Sequence, residues 1–195
     1  MFGDPGLNSE NYPIVRLSEI AEYHGGLTYS PSDVAEEGVI VLRSNNIQNG
    51  RIDLSDVVKV TCPIREKYYV RSKDILICSR NGSARLVGKA ALIDKASTPM
   101  AFGAFMMIIR SSYYPYLLPL LSMRAFRSQL SFGTATINQI TSRMLNSVRI
   151  PCPPTELVNE FEGFVTKVDK LRFDVQQQIE KLETLKKSLM QEYFG

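Results

Sequence analysis

The sequence has no tryptophan, one histidine and only three cysteines in 195 residues. Cys62, Cys78 and Cys152 lie far apart, are odd in number and form no CxxC pair. This spacing argues against a disulfide framework or a zinc site and favours free thiols. A lone histidine such as His24, without an obvious catalytic partner, is more often structural than catalytic.

Several kinds of segment are also missing. No run approaches the ~18 uncharged apolar residues of a membrane span, and the first residues lack the basic-then-apolar pattern of a secretory signal. We therefore expect a cytoplasmic protein that does not enter a membrane. No GxSxG, HExxH, GxxxxGK[ST] or GxGxxG motif occurs. We find no active site, and we expect no enzymatic activity, metal or cofactor in this chain.

Basic residues exceed acidic ones only slightly, but the excess is unevenly distributed. Residues 1–154 contain 17 Lys/Arg against 12 Asp/Glu, a net charge of +5, whereas residues 155–195 contain 6 against 8, a net charge of −2. Eight of the basic residues and only three acidic ones lie within residues 65–95. A positive surface of this kind suits a polyanion, although a solvated charged face would have the same composition.

The proline-rich stretch at residues 150–154 divides the chain into two patterns. Before it, short apolar runs separated by Gly, Asn, Ser and Pro predict a domain of short strands over residues 1–154. Two segments favour helices instead: 15–23, with Ser18 as the cap, and 116–130. The strand candidates are residues 39–42, 57–60, 75–78, 90–93 and 104–109.

Residues 155–195 predict one long helix, which we expect to extend from Thr155 to about Tyr193. Apolar residues recur there in alternating steps of four and three, and nine of eleven such positions are apolar. The mean step of 3.5 residues is the period of a left-handed coiled-coil seam. The predicted seam comprises Leu157, Phe161, Phe164, Val168, Leu171, Val175, Gln178, Leu182, Leu185, Leu189 and Glu192.

A helix of this length needs a partner. Some 39 residues at ~1.5 Å each give a rod of roughly 58 Å, so the domain would cover the apolar stripe only if the helix folded back across it. A core helix packed on its own domain remains the alternative, and the length of the repeat counts against it. We expect a second helix against the seam, with Gln178 fixing the register.

Three polar loops carry the residue types that contact DNA. Arginine and lysine bind phosphates, arginine also reads guanine, and asparagine or glutamine reads adenine. Each loop alone is better explained as a simple turn, because Asn and Gly in loops are first of all turn formers, but three such loops in a basic domain favour DNA contact. The candidates are Arg43, Ser44, Asn45 and Asn46 in the first loop, Arg80, Asn81, Ser83, Arg85 and Lys89 in the second, and Thr136, Asn138, Gln139 and Arg143 in the third.

Short blocks with a characteristic order and spacing run over nearly the whole chain. They are LSEI at 17–20, GGLT at 25–28, GVIVLRSNNI at 38–47, KDILI at 73–77, VGK at 87–89, TINQI at 136–140, IPCPP at 150–154 and LKKSLM at 185–190. In this order the blocks resemble the DNA specificity subunits of type I restriction-modification systems.

The resemblance implies an α+β fold: a mixed α/β target recognition domain rich in short strands (residues 1–154), followed by a single long coiled-coil helix (residues 155–195). Typical members carry two such domains and two antiparallel helices, and each domain reads one half of a split site in double-stranded DNA. The subunit is non-catalytic. Methyltransferase subunits, which bind S-adenosylmethionine, dock on it, and a separate restriction subunit translocates and cleaves the DNA.

This sequence holds one domain and one helix, which suggests a half-length form, either natural or excised. We expect two copies to form a homodimer through an antiparallel coiled coil. Two other interpretations stay open: the recognition portion of a fused restriction-methylation enzyme, and a coiled-coil interaction module that binds no DNA.

Overall fold

A computed structural model of the chain describes residues 1–94, 96, 98–130 and 139–194. They form two compact units, Met1–Pro153 and Pro154–Gly195. The first unit contains, in chain order, β1 (Ile14–Arg16), α1 (Leu17–Ile20), β2 (Glu22–Gly25), β3 (Val34–Ala35), β4 (Val39–Leu42), β5 (Ile47–Gln48), β6 (Arg51–Ile52), β7 (Val58–Val60), β8 (Ile75–Cys78), β9 (Ala90–Leu92), β10 (Met100–Phe102), β11 (Met106–Arg110), α2 (Tyr114–Leu120), α3 (Arg124–Arg127), α4 (Ser142–Ser147) and β12 (Arg149–Pro151); the second unit is the helix α5 (Thr155–Phe194).

Two four-stranded sheets form the centre of the first unit. One has the order β10-β4-β7-β3, with β10 and β4 parallel and the other pairs antiparallel. The other has the order β2-β11-β8-β9 and is antiparallel throughout. Two smaller pairs complete the unit: β5 with β6, and β1 with β12. The β1–β12 pair joins the beginning of the unit to its end.

Alternation along the strands supplies apolar surface to both faces of the first sheet. Leu42 and Phe102 belong to a core shared with Leu76 and Ile108 of the other sheet. Their neighbours Val41 and Ala101 belong instead to a second, smaller core. Because successive strand residues point to opposite faces, β4 and β10 pack apolar residues on both sides of the sheet, which explains their short, continuous apolar runs.

The turn between β5 and β6 matches its sequence. Asn49 and Gly50 have φ angles of 51° and 75°. Positive φ at both central residues is the requirement of the type I′ hairpin turn, for which Asn-Gly is strongly preferred. The hairpin places Asp53 and Asp56 beside the loop that follows β4.

The α+β architecture predicted from the sequence is confirmed, and some element boundaries differ. The strands at 39–42 and 75–78 lie as predicted, whereas the expected strand at 104–109 begins later, at Met106. The expected helix at 116–130 is broken because Met123 has an extended backbone between α2 and α3. The expected helix at 15–23 is wrong: β1, the single turn α1 and β2 occupy it, since β1 pairs with the distant β12.

The long helix is confirmed as α5, which has 40 residues and therefore a length of about 60 Å. Many of its apolar side chains face solvent. Among the described residues, no helix is long and apolar enough to cross a membrane. Within the same residues, no three His, Cys, Asp or Glu side chains are grouped so that they could hold a metal ion.

Candidate nucleic-acid interface

The first predicted loop is a tight 3₁₀ turn at the end of β4. Asn46 is 1% exposed and holds the turn together. Its Oδ1 accepts from the Arg43 backbone N–H at 2.9 Å, and its Nδ2 donates to the carbonyls of Asp53 and Asp56 at 3.0 and 2.7 Å. The side chain of Asn46 is thus buried and fully used, so it supports the loop and is not available to a base.

Arg43 and Asn45 lie around one acidic residue. The Asp56 carboxylate accepts from Asn45 Nδ2 at 2.5 Å and lies 3.6 Å from Arg43 Nη2. Asn45 is exposed and Arg43 half-buried. Asp56 therefore orients both side chains and neutralises part of the positive charge of Arg43. Sequence reasoning missed this acidic residue because it comes from the next loop.

The second predicted loop follows β8 and is fixed at its base. The Ser79 and Arg80 backbone N–H groups both donate to the Phe105 carbonyl, at 2.9 and 3.1 Å, and the Ser79 hydroxyl donates to the same oxygen at 3.0 Å. Asn81 Oδ1 accepts from the Ser83 backbone N–H at 2.9 Å. The loop is thus rigid where it leaves the sheet, while Arg80 and Ser83 are exposed.

Two contacts join all three predicted loops. Asn81 Nδ2 donates to Ser44 Oγ at 3.3 Å and links the second loop to the first. Arg80 forms an antiparallel bridge with Gln139, and the next residue, Ile140, donates to the Ser79 carbonyl at 2.7 Å. Loops that are far apart in the chain therefore form one continuous patch. We call it the three-loop surface: residues 43–45, 80–81 and 139, together with Phe105.

Phe105 was not predicted from the sequence. It lies in the turn between β10 and β11, its side chain is 60% exposed, and the guanidinium carbon of Arg80 lies 5.7 Å from the centre of its ring. The sequence predicted a strand over 104–109, and within a strand an apolar side chain such as Phe105 is expected on one face. Phe105 therefore did not stand out. The Gly103-Ala104 pair before Phe105, between two apolar runs, is the sequence signal that would have identified the turn.

The remaining predicted contacts lie elsewhere or outside the described residues. Arg85 is exposed on a 3₁₀ turn, Lys89 is half-buried just before β9, and Arg143 is exposed on the first turn of α4. Among the described residues, no hydrogen bond or ion pair joins these three to the three-loop surface. Thr136 and Asn138 lie outside the described residues.

A buried ion pair lies at the opposite end of β8 from the second loop. Asp74 is 1% exposed, and its two carboxylate oxygens accept from Arg110 Nε and Nη2, each at 2.7 Å. The Arg71 backbone N–H also donates to Asp74, at 2.7 Å. Hydrogen bonding to Asp74 raises the pKa of the Arg110 guanidinium above its usual range. The pair holds the start of β8 against the end of β11.

The three cysteines are free thiols, and the single histidine lies within a strand. Cys62, Cys78 and Cys152 are free, as the sequence indicated. Burial raises the pKa of the Cys78 thiol, which lowers its reactivity. His24 lies in β2 opposite Ile108, with Nε2 3.5 Å from Glu22 Oε2.

The predicted seam of α5 is largely exposed. Six of its apolar side chains face solvent: Phe164 (57% exposed), Leu171 (63%), Val175 (53%), Leu182 (65%), Leu185 (56%) and Leu189 (44%). Gln178 is exposed as well, whereas Leu157, Phe161 and Val168 are half-buried. The last third of the helix has a broader apolar strip, formed by Leu182, Leu185, Leu189, Met190 and Tyr193 with the stem of Lys186.

Comparison with known proteins identifies the family. The family described as "Type I restriction modification DNA specificity domain" matches residues 9–190. The chain belongs to this family. It is 29% identical to the type I restriction enzyme EcoKI specificity subunit of Escherichia coli K12 over 87% of the chain, and 26% identical to the StySPI specificity subunit of Salmonella potsdam over 88%. Both matches cover 40% of the relative, so the chain spans less than half the length of these curated relatives.

Solved structures show the same fold. The HsdS subunit from Thermoanaerobacter tengcongensis matches 89% of this chain with a TM-score of 0.59 and 19% identity, over 39% of its own length. The S subunit of the type I system from M. genitalium matches 95% with a TM-score of 0.58 and 15% identity, over 46% of its own length. These likenesses concern the fold: a domain of short strands followed by a long helix.

Proposed function

We propose that this chain is a non-catalytic specificity module that recognises one half of a bipartite site in double-stranded DNA. The joining of three polar loops into one surface carries the proposal, because base reading needs several donors and acceptors held in fixed relation. The contacts that we assign to DNA are Arg43, Ser44, Asn45, Arg80, Asn81, Ser83, Arg85, Lys89, Gln139 and Arg143, with Thr136 and Asn138 kept as expectations from the sequence.

Salt-dependent binding to duplex DNA tests this function. Phosphate contacts release counterions, so affinity should fall steeply between 50 and 200 mM salt. Arg80→Ala should weaken binding to the preferred duplex by about 1–3 kcal/mol if Arg80 reads a base. Arg16→Ala, which removes an exposed arginine from β1, is the matched control. If the chain binds no duplex DNA even at low salt, the coiled-coil interaction module is favoured instead.

We further propose that α5 pairs with a second copy as an antiparallel coiled coil and forms the docking element for methyltransferase subunits. The six exposed apolar side chains of the seam support pairing, because an isolated helix leaves them in water. Sedimentation of the full chain should show a dimer, and Leu171→Glu with Leu182→Glu should yield monomers. A wild-type monomer at all concentrations would contradict pairing.

The partners follow from this assignment. We expect the methyltransferase subunits to bind S-adenosylmethionine, a restriction subunit to join the complex, and the assembly to act in the cytoplasm. Methylome sequencing of the host with and without the gene tests the whole arrangement: loss of a two-part adenine motif would give both function and target. A separate methyltransferase gene beside this one would favour the separate subunit over the fused-enzyme alternative.

A further inference from the structure

We propose that Phe105 sets the orientation of Arg80, so that the two side chains read a guanine as one unit. This inference rests on the proposed DNA recognition and adds a positioning residue to it. Three observations carry it: Phe105 is an exposed aromatic residue on a rigid turn, its backbone carbonyl accepts a hydrogen bond from the Arg80 backbone, and its ring lies against the Arg80 guanidinium.

The turn that carries Phe105 is held on both sides. The Gly103 N–H donates to the Leu42 carbonyl at 2.9 Å, and the Met106 N–H donates to the Gly103 carbonyl at 2.8 Å. The residues that flank the turn, Gly103 and Met106, are buried. A phenylalanine that is 60% exposed on so fixed a backbone has no packing role that explains it. The buried residues on either side of the turn fix the position of the Phe105 backbone.

The backbone makes the pairing with Arg80 a fixed one. The Arg80 N–H donates to the Phe105 carbonyl at 3.1 Å, and Arg80 also bridges Gln139 on its other side. The two Cα atoms are therefore held close, and the guanidinium carbon lies 5.7 Å from the ring centre, within the range of a cation–π contact. Among the described residues, no carboxylate forms an ion pair with Arg80.

The chemistry of guanine reading explains what the ring contributes. A bidentate contact to guanine O6 and N7 requires the planar guanidinium to enter the major groove at a defined angle. An exposed arginine alone samples many rotamers, and its ordering opposes binding. The ring of Phe105 restricts that freedom before DNA arrives. Loss of the ring should therefore reduce discrimination at one base, whereas the charge of Arg80 and the general affinity for phosphates remain.

Selection from a random duplex pool tests the inference. The full-length chain is incubated with a pool of random 20-base-pair duplexes, bound DNA is sequenced over several rounds, and the motif is compared between wild type and variants. Wild type should enrich a motif that contains a guanine. Phe105→Ala and Arg80→Lys should each lose preference at that same guanine by about 5- to 150-fold, with the other positions kept. Phe105→Tyr retains the ring and should keep the preference.

Matched controls separate this role from a structural one. Val34→Ala truncates another exposed apolar residue (46% exposed) on β3, at the edge of its sheet opposite β10, and should leave the motif intact. The thermal midpoints of Phe105→Ala and Val34→Ala should match that of wild type. The double variant Arg80→Lys with Phe105→Ala should be no worse at the guanine than Arg80→Lys alone, because coupled residues are not additive.

Each outcome decides the question. A wild-type motif that Phe105→Ala leaves unchanged overturns this inference alone. So does a uniform loss of affinity without a change of motif, which would indicate a wedge or stacking contact made by the ring itself. A wild-type chain that enriches no motif overturns the proposed DNA recognition and this inference together.

Discussion

Removing the Asp74 carboxylate should destabilise the first unit strongly. Asp74 is 1% exposed and accepts three hydrogen bonds at 2.7 Å, two from Arg110 and one from the Arg71 backbone. Removing one partner of a buried ion pair costs about 3–5 kcal/mol, because the other charge is left uncompensated. The Arg110 side chain keeps 23% of its exposure, so water relieves part of that cost. We expect Asp74→Ala to lose about 3 kcal/mol, near the lower end of this range.

Urea unfolding followed by tyrosine fluorescence measures this loss, since the chain has no tryptophan and eight of its nine tyrosines lie in the first unit. A loss of this size lowers the midpoint of thermal unfolding by roughly 6–12 °C in a chain of this length. Hydrogen bonding to Asp74 raises the pKa of Arg110 in the folded protein. The contribution of this pair to stability is therefore fully present below the pKa that Arg110 has in the unfolded chain, and it is lost only as the pH rises above that pKa. For arginine that range is strongly alkaline, so the loss should be equal at pH 6 and pH 9.

Two further variants test whether the uncompensated charge of Arg110 causes the loss of stability. Arg71→Ala removes a side chain that is 59% exposed and 3.4 Å from Glu66; an exposed pair contributes about 0–1 kcal/mol, so little should change. Asp74→Leu combined with Arg110→Leu removes both charges and should recover much of the loss. If Asp74→Ala costs less than about 1 kcal/mol, or if the double variant is as unstable as the single one, the charge left at Arg110 is not the cause.

Three other changes have defined outcomes. Burial raises the pKa of Tyr116 to about 12, so the free energy of unfolding should fall as pH rises from 10 to 12, and Tyr116→Phe should flatten that part of an alkaline unfolding series. Asn46→Ala should cost about 1–3 kcal/mol in urea unfolding because it leaves buried donors and acceptors unpaired. Gly26→Ala places a Cβ 2.0 Å from the Gly103 carbonyl oxygen and should lower the thermal midpoint, whereas Gly25→Ala, with nothing within 4 Å, should not.

Local sequence patterns predicted the parts of the fold that local forces determine. The repeat after the prolines predicted α5, because helix periodicity is read from the residues themselves. The runs at 39–42 and 75–78 are buried on both faces and show as continuous apolar stretches. The pairing of β1 with β12 joins residues more than 130 positions apart, and no local pattern encodes it. The segment 15–23 was therefore predicted as a helix.

The candidate site was predictable in composition but not in assembly. Residue types that suit DNA identified the loops, yet only the fold shows that Asn81 bonds Ser44 and that Arg80 bridges Gln139. The same information separates Asn46, which is buried, from Asn45, which is exposed. Both are equally polar neighbours in the sequence, so composition alone could not rank them.

The division of work among polar side chains bears on what the surface reads. Amides read adenine when both donor and acceptor are free, but among the described residues Asn46 uses both groups internally, Asn81 bonds Ser44 and Ser83, and Asn45 bonds Asp56. The three-loop surface therefore uses most of its amides to hold its own shape. Under the proposed function, the group that it presents to DNA is the exposed guanidinium of Arg80, whose carbon lies 5.7 Å from the centre of the Phe105 ring. Discrimination by this patch should thus depend more on guanine contacts than the asparagine-rich sequence of its loops would indicate.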